Sequence, residues 1–295
     1  MSMIRRPIGI FDSGVGGLTV ARFIFSYLPE RPVVYFGDTA HVPYGSRSRR
    51  ELIVFGERII SFLLKLGAEV IVAACNTSSS VSLPVLKKRF SVPIIGMIEP
   101  GVRAALKATR EKRIGVIATE ATVNSGSFRR AFEAFDPEVQ VYQQACPLFV
   151  PLVESGKVDT EEARQAAFAY LKPLQEVGID TLVLGCTHYP FLTPVLQEVL
   201  GPEVRIVDPA EEVVRELVKA LGNGCGEHQG DCPERQEHRF FASGPTTSFY
   251  TLGKRLFGEF PFTVEQVNLD HSEGESTISW IMLPGNSQPG LEGGN

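Results

Sequence analysis

Two cysteines stand in matching surroundings. Cys75 closes the run Val70-Ile71-Val72-Ala73-Ala74 and is followed by Asn76-Thr77-Ser78-Ser79. Cys186 closes Leu182-Val183-Leu184-Gly185 and is followed by Thr187-His188-Tyr189-Pro190. A strand that delivers a thiol to a helix N-terminus brings it to free N–H groups and a positive dipole end, which favour the thiolate. The same N–H groups, with Asn76 and Thr77, suit a carboxylate. Pro190 suits a helix start, and His188, whose ring titrates near neutrality, can tune the Cys186 thiol or shuttle its proton. Alone, Cys75 also reads as a small buried hydrophobe. A second cysteine in the matching place makes packing the less economical account.

Paired thiols support three chemistries. Redox pairs usually lie close together as Cys-x-x-Cys, which these do not. Metal ligation needs three or four ligands, and no regular Cys/His spacing supplies them; the irregular set Cys225, His228, Cys232 and His238 reads better as a solvated loop. The third is proton transfer on opposite faces of one carbon: a thiolate removes a hydrogen, and a thiol returns one from the far side.

A further constellation is Phe11-Asp12-Ser13-Gly14-Val15-Gly16-Gly17. It half-matches a dinucleotide fingerprint, because Thr19 stands at the third glycine position, with Asp38 near the place of a ribose-binding acid. The other reading is a tight anion-binding turn, with Ser13 and free N–H groups on a small carboxylate. Asp12 then accepts an ammonium, polarises a thiol or caps a helix. The stretch 37–45, with Asp38, His41 and Tyr44 beyond a strand end, suits either a site or a surface turn.

These residues need elements to hold them. Short β-branched runs at 8–11, 33–36, 70–74 and 94–98, then at 114–118, 139–143, 181–184 and 204–207, read as buried strands. Amphipathic patterns at 18–27, 50–66, 101–109, 127–135, 160–177 and 211–221 read as helices. The fold class is therefore α/β with mainly parallel sheets. The two halves echo each other: the first strand returns 106 residues on, the cysteine strand 111 on and the fourth strand 109 on. Three echoes in order predict two pseudo-symmetric α/β domains, in which the strand ends carrying Cys75 and Cys186 occupy equivalent places. The expected division is 1–98 plus 209–270 for the first domain and 99–208 for the second. A C-terminal tail, 271–295, is expected to be partly flexible, with Trp280 able to dock. The Gly-rich stretch 222–238 reads as a loop.

Composition narrows the setting. The chain has 295 residues, 43% hydrophobic and 21% charged, with a net charge of −5, the profile of an ordinary globular protein. No basic block marks a nucleic-acid footprint, and no apolar run reaches the ~18 residues of a membrane span. Five cysteines do not suggest a disulfide framework. With no signal-peptide pattern at the N-terminus, a reducing cytoplasm is the expected location.

Taken together, the Asp12-to-Gly17 turn, the stretch 37–45, Ala74-Cys75-Asn76-Thr77 and Gly185-Cys186-Thr187-His188-Tyr189-Pro190 resemble the bacterial glutamate racemases across roughly residues 7–260. The resemblance implies two α/β domains with the site between them and no cofactor or metal. It implies interconversion of L- and D-glutamate, which provides D-glutamate for peptidoglycan and so for cell-wall biogenesis and cell shape; it also implies association as a homodimer. By resemblance, Cys75 is the base toward D-glutamate and Cys186 the base toward L-glutamate. Asp12, Ser13, Tyr44, Gly45, Asn76, Thr77, Thr187 and His188 match substrate-contacting positions, joined by Thr119 and Thr122 for a carboxylate. Asp38, Glu154 and His188 resemble auxiliary acid–base residues, with Asp12 beside them. Three rivals remain: a racemase of aspartate or a related acid, a nucleotide-dependent oxidoreductase on the glycine turn, and a non-catalytic amino-acid sensor.

Overall fold

The computed structural model describes residues 6–222, 237–258 and 263–270. The chain opens with β1 (Ile8–Asp12), α1 (Leu18–Tyr27) and β2 (Val33–Gly37), continues through α2 (Arg49–Lys65) to β3 (Val70–Ala73), and then makes two short helices, α3 (Asn76–Val81) and α4 (Leu83–Arg89). After β4 (Ile94–Ile95) come α5 (Ile98–Ala108), β5 (Arg113–Ala118), α6 (Glu120–Ser125), α7 (Ser127–Phe135) and β6 (Gln140–Ala145). The next elements are α8 (Phe149–Glu154), α9 (Glu161–Glu176), β7 (Thr181–Gly185), α10 (Thr193–Leu200) and β8 (Arg205–Val207). Last come α11 (Ala210–Ala220), β9 (Arg239–Ala242), α12 (Thr247–Phe257) and β10 (Val264–Gln266).

Two sheets form among the described residues, ordered β10-β9-β2-β1-β3-β4 and β6-β5-β7-β8, and every pairing is parallel. The order β2-β1-β3-β4 in one sheet and β6-β5-β7-β8 in the other is the same order twice, so the first two sequence echoes fall on structurally equivalent strands; in the third, β4 and β8 hold equivalent places but the run 95–98 leaves the strand at Ile95. β1, β2, β3 and β7 are buried along their whole length. Strands covered on both faces need unbroken apolar runs rather than alternation, which is how 8–11, 33–36, 70–74 and 181–184 read. One large apolar cluster joins Ile8, Ile10 and Val72 of the first sheet to Ile117, Leu182 and Leu184 of the second, so the two halves share a core. No helix among the described residues is long and apolar enough to cross a membrane.

Local chemistry explains where elements begin. α2 starts with a capping box, in which the Ser48 hydroxyl accepts the Glu51 N–H and the Glu51 carboxylate accepts the Ser48 N–H. Thr160 accepts the Ala163 N–H at the head of α9.

Some boundaries differ from expectation. The strand at 94–98 stops at Ile95, and Ile98 opens α5, because Pro100 falls within the first helical turn, where its missing N–H costs nothing. The strand at 139–143 runs instead over Gln140–Ala145. The polar residues after Cys75 do not cap a helix; Cys75 itself occupies the cap position and Asn76 and Thr77 lie inside α3. Residues beyond 209 extend the first sheet, since β9 pairs with β2 and β10 with β9. Cys225, His228, Cys232, most of the stretch 222–238 and the tail from 271, including Trp280, lie outside the described residues.

Candidate active site

In each sheet the chain leaves the first strand toward one neighbour and returns on its other side, so β1/β3 and β5/β7 are switch points whose carboxyl ends open a crevice. Asp12 ends β1 and Ser13 follows it, Cys75 lies just past β3, Thr119 follows β5 and Cys186 follows β7. Cys75 and Cys186, both buried, line one small cavity. Ser13, Asn76 and Thr77 share its wall from the first half, with Tyr44 and Gly45 from the loop after β2. Thr119, Val150 and His188 close it from the second half. Its volume is about 20 Å³, room for little more than one water.

The two thiols have different surroundings. Burial pushes the Cys75 thiol up to about 12, and the nearby Asp12 carboxylate adds to the rise; the Ser78 N–H and the Ser13 hydroxyl act against it. The lowering expected from its place at the head of α3 is therefore outweighed by desolvation. Cys186 faces His188, with Sγ 3.8 Å from Nδ1, and the ring's Nε2 lies 2.7 Å from Oε1 of Glu154. Burial acts to lower the His188 pKa, but its bonds to Cys186 and Glu154 prevail and hold it well above the ordinary value. One thiol is thus kept protonated, and the other adjoins a proton-carrying relay.

Asp12, also buried, lies behind the cavity wall. Its carboxylate accepts the Gly14 N–H at 3.0 Å and the Thr187 hydroxyl at 3.1 Å, with the Gly17 N–H nearby. Burial raises its pKa, while His188 and these donors oppose the rise. The Gly14 N–H of the glycine turn is therefore taken by the chain's own carboxylate, while Ser13 of the same turn lines the cavity. Gly16 serves a different need, because a Cβ there would lie 2.5 Å from Thr187 Oγ1 and 2.8 Å from His188 Nδ1. The glycine lets the two halves meet.

Hydroxyls tie the halves together beside the cavity. Thr77 Oγ1 lies 2.9 Å from Thr119 Oγ1, which lies 3.0 Å from Thr122 Oγ1, and Ser127 donates to the Ser80 carbonyl at 3.0 Å. Asn76 differs. Both polar atoms of its buried amide lack a hydrogen-bond partner among the described residues, an arrangement costing roughly 1–3 kcal/mol per group unless a ligand completes it. Tyr44 donates its hydroxyl to Asp38, and burial and that carboxylate raise the phenol's pKa far above its usual value.

Nine sequence-selected residues reach the cavity: Ser13, Tyr44, Gly45, Cys75, Asn76, Thr77, Thr119, Cys186 and His188. Five stand directly behind them, Asp12 and Thr187 joined to each other, Glu154 on His188, Thr122 on Thr119, and Asp38 on Tyr44. Pro43 and Val150 line the cavity without having been selected. Pro43 lay within the stretch 37–45 and was findable there; Val150 sits near the start of α8 in an apolar run with no signal of its own.

The model of the Asp/Glu/Hydantoin racemase family matches residues 19–217. Over 271 residues the chain is 49% identical to the glutamate racemase of Desulforudis audaxviator, covering 90% of this chain and 99% of that protein. Its fold is similar to the crystal structure of a glutamate racemase isoform from Bacillus anthracis, with a TM-score of 0.82 and 39% identity over 90% of this chain and 98% of that one. It is also similar to glutamate racemase from Francisella tularensis in complex with D-glutamate, with a TM-score of 0.81 and 32% identity over 91% and 99%. This chain belongs to the Asp/Glu/Hydantoin racemase family, on its glutamate racemase branch.

Proposed function

We propose that the protein interconverts L- and D-glutamate without a cofactor, by proton transfer between Cys75 and Cys186 across the substrate α-carbon. The observation that carries this reading is the pairing of two buried thiols, at equivalent strand ends of two sheets with the same strand order, in one cavity. From L-glutamate, the Cys186 sulfur takes the α-proton while the Cys75 thiol donates one on the opposite face. His188 and Glu154 manage the proton on the Cys186 side. In the reverse direction the roles exchange, with Cys75 as base; Asp12, in whose field its thiol lies, tunes that step.

The substrate is a dianion with one ammonium. Among the described residues no lysine or arginine lines the cavity, so its carboxylates fall to neutral donors: the Ser13, Thr77 and Thr119 hydroxyls and the Asn76 amide, whose unsatisfied NH₂ would donate to a carboxylate while its unsatisfied oxygen suits the ammonium. Thr122 and Thr187 set the orientation of these groups from behind. The buried Asp12, with Glu154, offsets the ammonium. The name of the 49%-identical relative supports glutamate as substrate, as does the D-glutamate held by the structurally similar Francisella tularensis protein.

On this reading the product D-glutamate supplies peptidoglycan synthesis in the cytoplasm, the protein works as a homodimer, and residues 1–98 with 209–270 move as one body against 99–208. Dialysed enzyme given L-glutamate, D-glutamate or L-aspartate, with no added cofactor or metal, tests the activity by circular dichroism of the substrate. Both glutamate enantiomers should converge on zero ellipticity. Racemisation of aspartate alone would move the assignment to that acid, and no change with any of them would refute it.

A further inference from the structure

The Asp38 carboxylate is buried at the end of β2 and holds three side-chain donors. Tyr44 gives its hydroxyl to Oδ2, while Oδ1 takes the His41 ring nitrogen at 2.7 Å and the Ser243 hydroxyl at 2.6 Å. All three donors hold the carboxylate as an acceptor. It does not itself line the cavity. Tyr44 does.

Ser243 adds a second hold. It follows β9, next to β2, and its own N–H reaches the Gly37 carbonyl at 3.1 Å. Its hydroxyl, while donating to Asp38, accepts the Ala40 N–H at 2.9 Å, and the neighbouring Gly244 N–H reaches Thr39 Oγ1 at 2.9 Å. His41 stacks on Phe55 with ring centroids 4.2 Å apart, and its other nitrogen lies 3.5 Å from Asp270. Residues from the C-terminal part of the chain, Ser243 and Asp270, therefore clasp both the carboxylate and the loop that carries Tyr44 and Gly45.

We propose that Ser243 is a positioning residue of the racemase site: together with His41 it fixes Asp38, and through Asp38 it fixes Tyr44 against the substrate. Asp38 acts here as an anchor rather than an acid or base. The proposal rests on the glutamate racemase reading given above and assigns a role to a segment far in sequence from either cysteine.

The test compares Ser243→Ala, Ser243→Cys and Ser243→Thr in the full-length enzyme, alone and with Tyr44→Phe. Ser243→Ala should raise KM for glutamate about tenfold, the scale of one charge-assisted hydrogen bond, with kcat within about a factor of two. Ser243→Thr, which keeps the hydroxyl, should restore KM, and Ser243→Ala should add nothing in the Tyr44→Phe background. The pH profile of kcat should not move. An unchanged KM, a full penalty that persists without the Tyr44 hydroxyl, or a shifted kcat profile would overturn the proposal. If Ser243→Ala does not fold, Ser243→Cys, nearly isosteric and a weaker donor, carries the same comparison. Amide hydrogen exchange provides a readout independent of turnover: Ala40 and its neighbours in 39–45 should exchange at least tenfold faster in the variant while β1 and β7 stay protected. Equal exchange would overturn the clasp. A wild-type enzyme inert toward glutamate would refute the racemase reading, and the exchange measurement would still decide the clasp.

Discussion

At the scale of residues, the site separates two thiols by environment rather than by identity. Cys75 is raised to about 12 by burial and the neighbouring Asp12, whereas Cys186 has His188 at 3.8 Å. If each sulfur handles one face, Cys75→Ala and Cys186→Ala should each lower kcat/KM by about 10³-fold, the scale of lost general acid–base catalysis. Polarimetric assays of both directions check this, and near-full turnover by either variant would contradict it. The relay makes a second prediction. Burial disfavours the His188 imidazolium, but its bonds to Cys186 and Glu154 raise its pKa well above 6.5. Its charged form therefore contributes stability that is full below 6.5 and fades as pH rises through the higher folded value. Glu154→Gln removes one raising partner, so the wild type's advantage in Tm should be largest below about pH 6.5 and shrink toward alkaline pH. A margin that grows with pH would contradict it. The cysteines were legible in the sequence because strand, thiol and hydroxyl recur in one pattern. The engagement of Asp12 by its own glycine turn was not, because a turn N–H can serve a ligand or a neighbour equally well.

At the scale of elements, the switch points β1/β3 and β5/β7 bring chemistry from six separate strand ends to one place. Parallel strands with apolar runs made the first-half core readable, and equal spacing made the second half its echo. The short elements were less readable. β9 is four residues long and β10 three, too short for periodicity to declare itself, and their place beside β2 follows from long-range pairing. Yet β9 and α12 brace the site. At the end of β2, a Cβ added to Gly37 would run into the Gly14 carbonyl oxygen and lie 2.6 Å from Phe249 Cζ of α12. Gly37→Ala should therefore cost about 2 kcal/mol through overpacking and, by displacing the glycine turn, reduce turnover as well. Urea unfolding checks the first part; a change below about 0.5 kcal/mol would show that turn and helix yield freely.

At the scale of the whole molecule, the halves meet through glycine, threonine and serine contacts around a cavity of about 20 Å³. Glutamate is far larger than the single water such a space admits. On the proposed reading, binding requires the walls of this cavity to part, and the Thr77–Thr119 contact is placed to yield. The observed binding rate in stopped-flow experiments should level off as glutamate concentration rises, the signature of a gating step. A linear rise at a diffusion-limited slope would contradict a closed resting state. Pseudo-symmetry was readable from three echoes in the chain, but closure was not, since it depends on side-chain contacts between segments 42 and 47 residues apart.

The central claim is that one proton leaves and another arrives at the same carbon from opposite sides. The direct measurement is to incubate the enzyme with L-glutamate in D₂O, following optical rotation and α-deuterium together from the earliest turnover. The two-thiol account predicts that rotation falls to zero while deuterium enters the α-position, appearing first in the D-enantiomer. Loss of rotation with the α-hydrogen fully retained, or deuterium entering L-glutamate with no D-enantiomer formed, would contradict it.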